Sequence, residues 1–188
     1  MRVGLLGGTF DPPHNAHLQA AVVALQTIPL AEVWFLITGN PPHKNIAVHT
    51  PATFRQEMLA AALQSYPNFK ICTIELETSG PHYTVNTLKS LQLRFPENEF
   101  HFLLGSDSYQ QFSTWRDPEQ ILTLTTLHVF ERPNHPILTK ENVSILPVQP
   151  LNISSTMIRE RIKMGLPIDG LVPDSVLTLI RACNFYRT

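Results

Sequence analysis

Two histidines three residues apart, close behind a pair of glycines, form the first segment that could do chemistry. After an apolar opening run, residues 7–17 read Gly-Gly-Thr-Phe-Asp-Pro-Pro-His-Asn-Ala-His. Adjacent glycines let the backbone approach a phosphate, and His14 and His17 can point to one side of a helical turn. Zinc is a poorer interpretation, because no Glu lies between them and no third ligand is close in sequence. Without further context, two core or solvated imidazoles would be the commoner outcome.

A second segment combines hydroxyls with a guanidinium. Residues 151–159 read Leu-Asn-Ile-Ser-Ser-Thr-Met-Ile-Arg and precede a predicted helix. Ser and Thr are ordinary helix N-caps, so capping alone would account for them. A helix start with free amides, hydroxyls and Arg159 in its first turns is also a site for anions. Both segments therefore indicate phosphate binding.

Six short apolar or β-branched runs predict the strands that position these segments. Several are nearly continuous apolar strings, as parallel strands covered on both faces require. Longer stretches of helical period separate them, a pattern typical of repeated βαβ units. We expect an α/β fold with a Rossmann-like parallel sheet of about six strands and helices on both faces. The predicted strands are residues 1–7, 32–38, 69–76, 99–104, 126–131 and 143–148.

Helix ends are marked by caps and prolines. Thr50 is a predicted cap before Pro51, a further helix starts near Thr84, and the last two follow Ser154 and Pro173. The final helix carries one apolar face, which we expect to close the sheet. That face consists of Val176, Leu179, Ile180 and Cys183.

Composition limits the class of protein. With 188 residues and an apolar fraction of 43 %, one domain over residues 1–188 is expected. The formal charge of -1 offers no field for a polyanion, so nucleic acid is a poor candidate partner. Cys72 and Cys183 suggest neither disulfides nor zinc and are expected to be buried. The opening apolar patch is far shorter than a membrane span of ~20 residues, so a cytoplasmic protein without membrane contact is expected.

Three further segments also follow predicted strands or open helices. They read Thr-Gly-Asn-Pro-Pro-His-Lys over 38–44, Gly-Pro-His-Tyr-Thr-Val-Asn-Thr-Leu over 80–88, and Gly-Ser-Asp through Phe112 to Trp115 from residue 105. In open parallel sheets ligands bind beyond the carboxyl ends of the strands, where such loops converge. We therefore expect these segments to contribute to one site.

The five segments together resemble the nucleotidyltransferase superfamily. Its signatures are His-x-Gly-His after a Gly-Gly-Thr-Phe-Asp-Pro loop, and Ser-Ser-Thr-x-Ile-Arg, which residues 154–159 match at every specified position. The other three segments resemble the Asn-x-Pro-x-His-Lys, Gly-x-Ser-Tyr-Thr-x-Asp-Thr-Leu, Gly-x-Asp and Phe-x-x-Trp elements of nicotinate mononucleotide adenylyltransferases. The resemblance spans residues 7–159.

Four positions depart from the family pattern. Ala16 and Asn134 stand where the family usually has Gly, His82 replaces Ser, and Asn86 replaces Asp. Ala is small enough to keep His17 in place, and Asn tolerates the left-handed conformation that the turn at Asn134 requires. His82 and Asn86 flank the expected nicotinate pocket and bear on substrate preference.

The resemblance implies adenylyl transfer from ATP to nicotinate mononucleotide, with deamido-NAD and pyrophosphate as products in NAD synthesis. It implies Mg²⁺ entering with ATP, no protein-bound metal, small-molecule partners only, and a monomer or small homo-oligomer. The implied catalytic residues are His14, His17 and Lys44. The implied ATP-binding residues are Gly8, Thr9, Phe10, Gly105, Asp107, Arg132, Ser154, Ser155 and Arg159. The implied nicotinate mononucleotide-binding residues are Thr9, Asn40, Lys44, Thr84, Trp115 and Arg116.

Two alternatives stay open at this point. One is a sister enzyme of the superfamily, such as a pantetheine-phosphate adenylyltransferase or a cytidylyltransferase, against which the segments around Thr84 and Trp115 argue. The other is a nucleotide-binding regulator without catalysis. Such a regulator should have lost a histidine or Lys44, and this chain keeps all three.

Overall fold

A six-stranded, wholly parallel sheet is the centre of the computed structural model, which describes residues 1–39, 50–137 and 143–187. The strand order is β3-β2-β1-β4-β5-β6, so the chain builds outward from β1 and then crosses back to β4. This confirms the expected Rossmann-like sheet. The strands are β1 (Arg2–Gly8), β2 (Glu32–Ile37), β3 (Phe69–Cys72), β4 (Glu99–Gly105), β5 (Thr126–Phe130) and β6 (Ser144–Leu146).

Helices cover both faces of the sheet, as expected. On one face α1 and α2 pack on Leu6, Phe35 and Leu103, and on the other α3 and α5 pack on Leu5 and Phe102. Neighbouring strand residues thus enter opposite cores, which is the period of two of a β-strand. The helices are α1 (Asn15–Thr27), α2 (Ala52–Leu63), α3 (Thr84–Arg94), α4 (Ser106–Tyr109), α5 (Pro118–Leu124), α6 (Ser155–Lys163) and α7 (Asp174–Cys183).

The third strand is shorter than predicted, and the reason is a buried carboxylate. β3 ends at Cys72, and Ile74–Leu76 form a 3-10 turn instead of more strand. The turn brings Glu75 inward, where it accepts hydrogen bonds from the Gly39 N–H at 3.2 Å and the Thr87 hydroxyl at 2.8 Å. An extended chain up to residue 76 would not satisfy those two donors with Glu75. The sixth strand, Ser144–Leu146, is likewise shorter than the predicted 143–148.

The start of α2 differs from the prediction. Its N-cap is Pro51 rather than Thr50, without a side-chain hydrogen bond to the helix. The Thr50 hydroxyl donates instead to the Tyr186 hydroxyl at 3.0 Å. The predicted starts of α3, α6 and α7 are confirmed.

The last helix covers another helix and not the sheet, so the expectation that it closes the sheet is wrong. α7 packs on α2 and α6, where Val176 and Ile180 share a third apolar cluster with Met58 and Ile158. Cys183 at its end is exposed, whereas Cys72 is buried as expected. Helix α7 is thus a second layer outside α2, because α2 itself already covers that part of the sheet.

In the described ranges of the chain, none of the helices is long and apolar enough to cross a membrane.

Candidate active site

A cleft of about 380 Å³ opens at the carboxyl ends of β1, β4 and β5. It lies at the point where the strand order reverses, the usual ligand site of an open parallel sheet. It brings together ten of the predicted residues from four separate segments. They are Gly8, Thr9, His14, His17, Gly105, Asp107, Arg132, Ser154, Ser155 and Arg159.

A larger hollow of about 520 Å³ lies beside α3 and holds none of these segments. It is lined by His82, Asn86 and their neighbours, among other residues. Volume alone therefore does not identify the site. We place the chemistry in the smaller cleft, because the convergent polar groups lie there.

The two histidines lie face to face at the start of α1. Their ring centroids are 3.6 Å apart, and the rings are inclined by 22°. The backbone N–H of His14 donates to Nδ1 of His17 at 3.2 Å. Because Nδ1 accepts, the proton of a neutral His17 ring resides on Nε2, which is then a donor.

His14 is uncharged at neutral pH. Burial lowers its pKa to about 3, and the nearby Arg132 guanidinium acts in the same direction. A neutral imidazole carries one N–H, so His14 can donate one hydrogen bond from the wall of the cleft. The pair therefore offers directed donors and not a doubly charged cluster.

Phe10 lies beneath the histidines and not in the cleft. It adopts a left-handed conformation with φ of 49°, is fully buried, and its ring meets His17 edge-on at 5.0 Å. A Cβ on Gly8 would come within 2.9 Å of this ring, so Gly8 is needed for Phe10 as well as for any ligand. Phe10 has no exposed surface with which to make the predicted contact with ATP. Its ring instead packs against His17.

The start of α6 is bonded to the glycine loop. Ser154 caps the helix, accepting from the Met157 N–H at 3.1 Å, as the capping interpretation expects. The Ser155 hydroxyl donates to the Pro12 carbonyl at 2.8 Å, and Nη1 of Arg159 donates to the Asp11 carbonyl at 2.7 Å. The two signature segments are thus one structural unit at the mouth of the cleft.

Asp107 and Arg132 face each other across Gly105. A Cβ on Gly105 would lie 2.5 Å from Oδ1 of Asp107 and 3.1 Å from Nε of Arg132. Burial lowers the pKa of Arg132, and Asp107 opposes that shift. The Arg132 guanidinium also lies over the Phe130 ring, 5.3 Å from its centroid. Asn134, in the turn that follows, has a φ of 64°, which confirms the predicted left-handed conformation.

Three of the predicted nicotinate residues, Thr84, Trp115 and Arg116, form a separate group, whereas Thr9 lines the cleft. Thr84 is the first residue of α3, and the Arg116 guanidinium lies 4.7 Å above the ring of Tyr83. Trp115 packs on Phe112 and Phe102, at centroid distances of 5.6 and 6.3 Å.

This group is next to the cleft but does not line it. The Phe102 ring lies 3.7 Å from where a Cβ of Gly7 would be, so Gly7 and Phe102 separate the two groups. Asn40 and Lys44, the remaining predicted residues, lie outside the described part of the chain.

Sequence reasoning missed two buried charged residues that connect these loops. Arg55 of α2 donates through Nη1 to the Thr9 carbonyl at 2.8 Å and the Thr38 carbonyl at 3.0 Å. Glu75 joins Gly39 to the first turn of α3, and burial raises its pKa. An arginine on the otherwise apolar buried face of α2 was the available signal for Arg55.

Comparison with known proteins gives a consistent picture over nearly the whole chain. The cytidylyltransferase-like family model matches residues 5–161. A probable nicotinate-nucleotide adenylyltransferase of Shouchella clausii is 40% identical over 185 residues, covering 98% of this chain and 96% of the relative. The nicotinate-nucleotide adenylyltransferase of Bacillus subtilis is 37% identical over 187 residues, covering 100% and 99%.

A solved structure shares the fold. Nicotinic acid mononucleotide adenylyltransferase of Plasmodium falciparum, complexed with NaAD, superposes with a TM-score of 0.81 at 21% identity, over 98% of this chain and 97% of the other.

Proposed function

This chain belongs to the nicotinate-nucleotide adenylyltransferases of the cytidylyltransferase-like family, and we propose that it transfers the adenylyl group of ATP to nicotinate mononucleotide. The products are nicotinate adenine dinucleotide and pyrophosphate. The observation that carries the proposal is the meeting of the His14–His17 pair with the start of α6 in one cleft. Such a combination of donors suits a triphosphate.

The reaction needs positioning more than activation. A phosphate oxygen of the mononucleotide attacks the α-phosphorus of ATP, and the bond from that phosphorus to the departing pyrophosphate breaks. The attacking phosphate is already anionic, so no general base has to remove a proton. The protein therefore has to align two anions and stabilise charge on the oxygens of the α-phosphate and the leaving group.

Residue roles follow from place and chemistry. His17 through Nε2, with His14 beside it, would donate to the α-phosphate oxygens, and Lys44 would bridge the reacting phosphates. Ser154, Ser155 and Arg159 would hold the outer phosphates. Among the remaining predicted ATP contacts, Asp107 and Arg132 would bind the adenosine side, with Gly8, Thr9 and Gly105 forming the walls.

Magnesium would arrive with ATP as part of the substrate. Among the described residues that line the cleft, Asp107 is the only carboxylate. Protein-bound Mg²⁺ commonly keeps several waters and relies on substrate phosphates plus one or two carboxylates. The donors present suit a phosphate-held magnesium better than a resident ion.

Recognition of the pyridine would use the group around α3. A pyridinium ring is a cation suited to the face of Trp115, and its carboxylate suits the amides at the start of α3 near Thr84, with Arg116 close by. A nicotinamide would turn an NH₂ toward these donors and leave groups unpaired. Such a mismatch costs roughly 100 to 10,000-fold in selectivity when the site is desolvated.

Mass analysis of the products tests the proposal. The purified protein is incubated with ATP, magnesium and one of three acceptors, nicotinate mononucleotide, nicotinamide mononucleotide or phosphopantetheine, and kcat/KM is measured for each. We expect a clear preference for the acid. A ratio near one would contradict the pocket around Thr84 and Trp115, and product only with phosphopantetheine would indicate the sister activity.

Three expectations about domain organisation, cellular location and oligomeric state belong to the same proposal. Residues 1–188 would act as a single domain, the protein would be cytoplasmic, and it would work as a monomer or a small homo-oligomer.

A further inference from the structure

A buried carboxylate in the glycine loop is held by the far end of the chain. Asp11 is 2 % exposed and lies three residues before His14. Its Oδ1 accepts a hydrogen bond of 2.5 Å from the hydroxyl of Tyr186, which in turn accepts from the Thr50 hydroxyl at 3.0 Å. A buried carboxylate that lost such a donor would lose one of the hydrogen bonds that offset its removal from water.

The backbone of the same loop is fastened from two other helices. Arg55 of α2 holds the Thr9 carbonyl, and Arg159 of α6 holds the Asp11 carbonyl. Both donate to main-chain atoms, whereas Tyr186 contacts the side chain of Asp11. Tyr186 therefore adds a side-chain contact to the two main-chain contacts that hold the loop.

The backbone of residues 184–186, which we call the tail, places the Tyr186 side chain against Asp11. Asn184 and Tyr186 both adopt positive φ, of 53° and 64°, which non-glycine residues adopt rarely. Phe185 between them packs edge-on against Phe54 of α2 at 4.2 Å. Packing in the third apolar cluster explains why the tail stays on α2. It does not explain the hydroxyl on Asp11, because a phenylalanine at 186 would fill the same space.

We propose that Tyr186 is a positioning residue for the transfer reaction: its hydroxyl orients Asp11 and thereby sets the loop that carries His14 and His17. The inference rests on the proposed function of the cleft. Donors act on the transition state only when held close to the right geometry, and a shift of about 1 Å can cost roughly 100-fold in rate. Loss of the hydroxyl should thus appear in turnover more than in substrate binding.

The direct test is Tyr186→Phe, compared with Tyr66→Phe as a matched control. Tyr66 stacks on Phe69 at 4.7 Å, in a part of the core away from the cleft. We expect Tyr186→Phe to lower kcat about 10- to 100-fold, as for loss of a hydrogen bond to a charged group, with both KM values within about threefold. Tyr66→Phe should keep the kcat of the unmodified protein. An unchanged kcat in Tyr186→Phe would overturn the proposal.

A double-mutant cycle separates positioning from a general loss of stability. If Tyr186 acts through the carboxylate, then Tyr186→Phe added to Asp11→Ala, which removes the acceptor, should change kcat by less than about threefold. Losses that multiply would refute the link between the two residues. All rates are measured well below the melting temperature of each variant. Should Tyr186→Phe not fold, Thr50→Val removes the donor to Tyr186 and should lower kcat by a few-fold, and no change would count against the proposal.

A readout without turnover keeps this inference distinct from the proposed function. If the unmodified protein forms no dinucleotide, the proposed function fails, and the loop can still be examined by NMR of the imidazoles. Signals of His14 and His17 should shift in Tyr186→Phe and stay unchanged in Tyr66→Phe. Unshifted signals in both variants would show that Tyr186 does not set the loop.

Discussion

At the scale of single residues, the two histidines of the cleft are held in different ways. His14 is buried and neutral, whereas His17 is oriented by the hydrogen bond that its Nδ1 accepts and by the edge of Phe10 beneath it. His17 therefore presents a donor whose direction is fixed before any ligand arrives. Preorganised donors of this kind are the ones that stabilise charge in a transition state.

Three substitutions of His17 distinguish the roles of its two ring nitrogens. We expect His17→Ala to lower kcat on the order of 100-fold or more, with a smaller change in the KM for ATP, because the Nε2 donor acts mainly in the transition state. His17→Asn, which can keep an acceptor near the position of Nδ1, should lose as much. His17→Gln, with an amide nitrogen near the position of Nε2, should retain more activity. Steady-state kinetics of the three variants decides this, and an unchanged kcat in His17→Ala would remove the residue from catalysis.

At the scale of elements, two polar side chains pack closely over the end of β4. Gly105 joins β4 to α4, and the side chains of Asp107 and Arg132 occupy the space where a Cβ would project. Arg132 is half-buried, and its backbone N–H donates to the Ser106 hydroxyl at 2.8 Å, which fixes its backbone beside the end of β4. The strand end thus places both polar groups that we propose for the adenosine side.

A methyl group at this strand end should disturb ATP binding specifically. Gly105→Ala should lower the unfolding free energy by about 1–3 kcal/mol through overpacking and raise the KM for ATP more than that for the mononucleotide. Gly7→Ala is the stability control, because its Cβ would meet Phe102 at an ordinary 3.7 Å. Denaturant unfolding and kinetics on both variants check the prediction. Equal stability losses would show that the space over Gly105 is not restricted.

Most elements were predictable because their signals are local. The apolar runs of β1, β2, β4 and β5, and the cap and prolines that start α6 and α7, are written within a few neighbouring residues. Two features were predicted wrongly, because they depend on contacts between distant parts of the sequence. The turn after β3 depends on Glu75 finding donors at Gly39 and Thr87, and α7 depends on α2 already covering the sheet.

The cleft was likewise predictable only where its residues belong to local motifs. Motif spacing identified the residues that converge there, since parallel strands bring their ends to one edge. No local pattern indicates that Tyr186 reaches Asp11, or that Phe10 turns inward under Gly8. These contacts depend on tertiary packing between segments far apart in sequence.

At the scale of the whole molecule, a second pair of histidines lies inside the sheet. His101 of β4 and His128 of β5 are buried, and Nδ1 of one lies 2.9 Å from Nε2 of the other. Burial, and then His101, lower the pKa of His128 to about 4. Burial also lowers the pKa of His101, although the Glu99 carboxylate, 3.2 Å from its Nε2, opposes that shift.

These buried histidines should make the fold sensitive to mild acid. Their folded-state pKa values lie below the ordinary value of about 6.5, so the unfolded chain binds more protons, and stability falls as pH drops from there toward 4. At pH 5 the loss from His128 alone is about 2 kcal/mol relative to pH 7. Denaturant unfolding of the ligand-free protein at both pH values measures it. In His128→Gln the drop should be smaller by a similar amount, and an identical drop would contradict the prediction.

The contact between Tyr186 and Asp11 spans 175 positions of the sequence, so it can form only late in the synthesis of the residues described here. Ribosomes deliver the chain from its N-terminus at about 5–20 residues per second, so all six strands are made before Tyr186 exists. Before Tyr186 is made, the six strands can pair while the histidine loop still lacks its hydrogen bond to that residue. Competence for the reaction would then follow the synthesis of Tyr186, after the sheet has formed and not together with it.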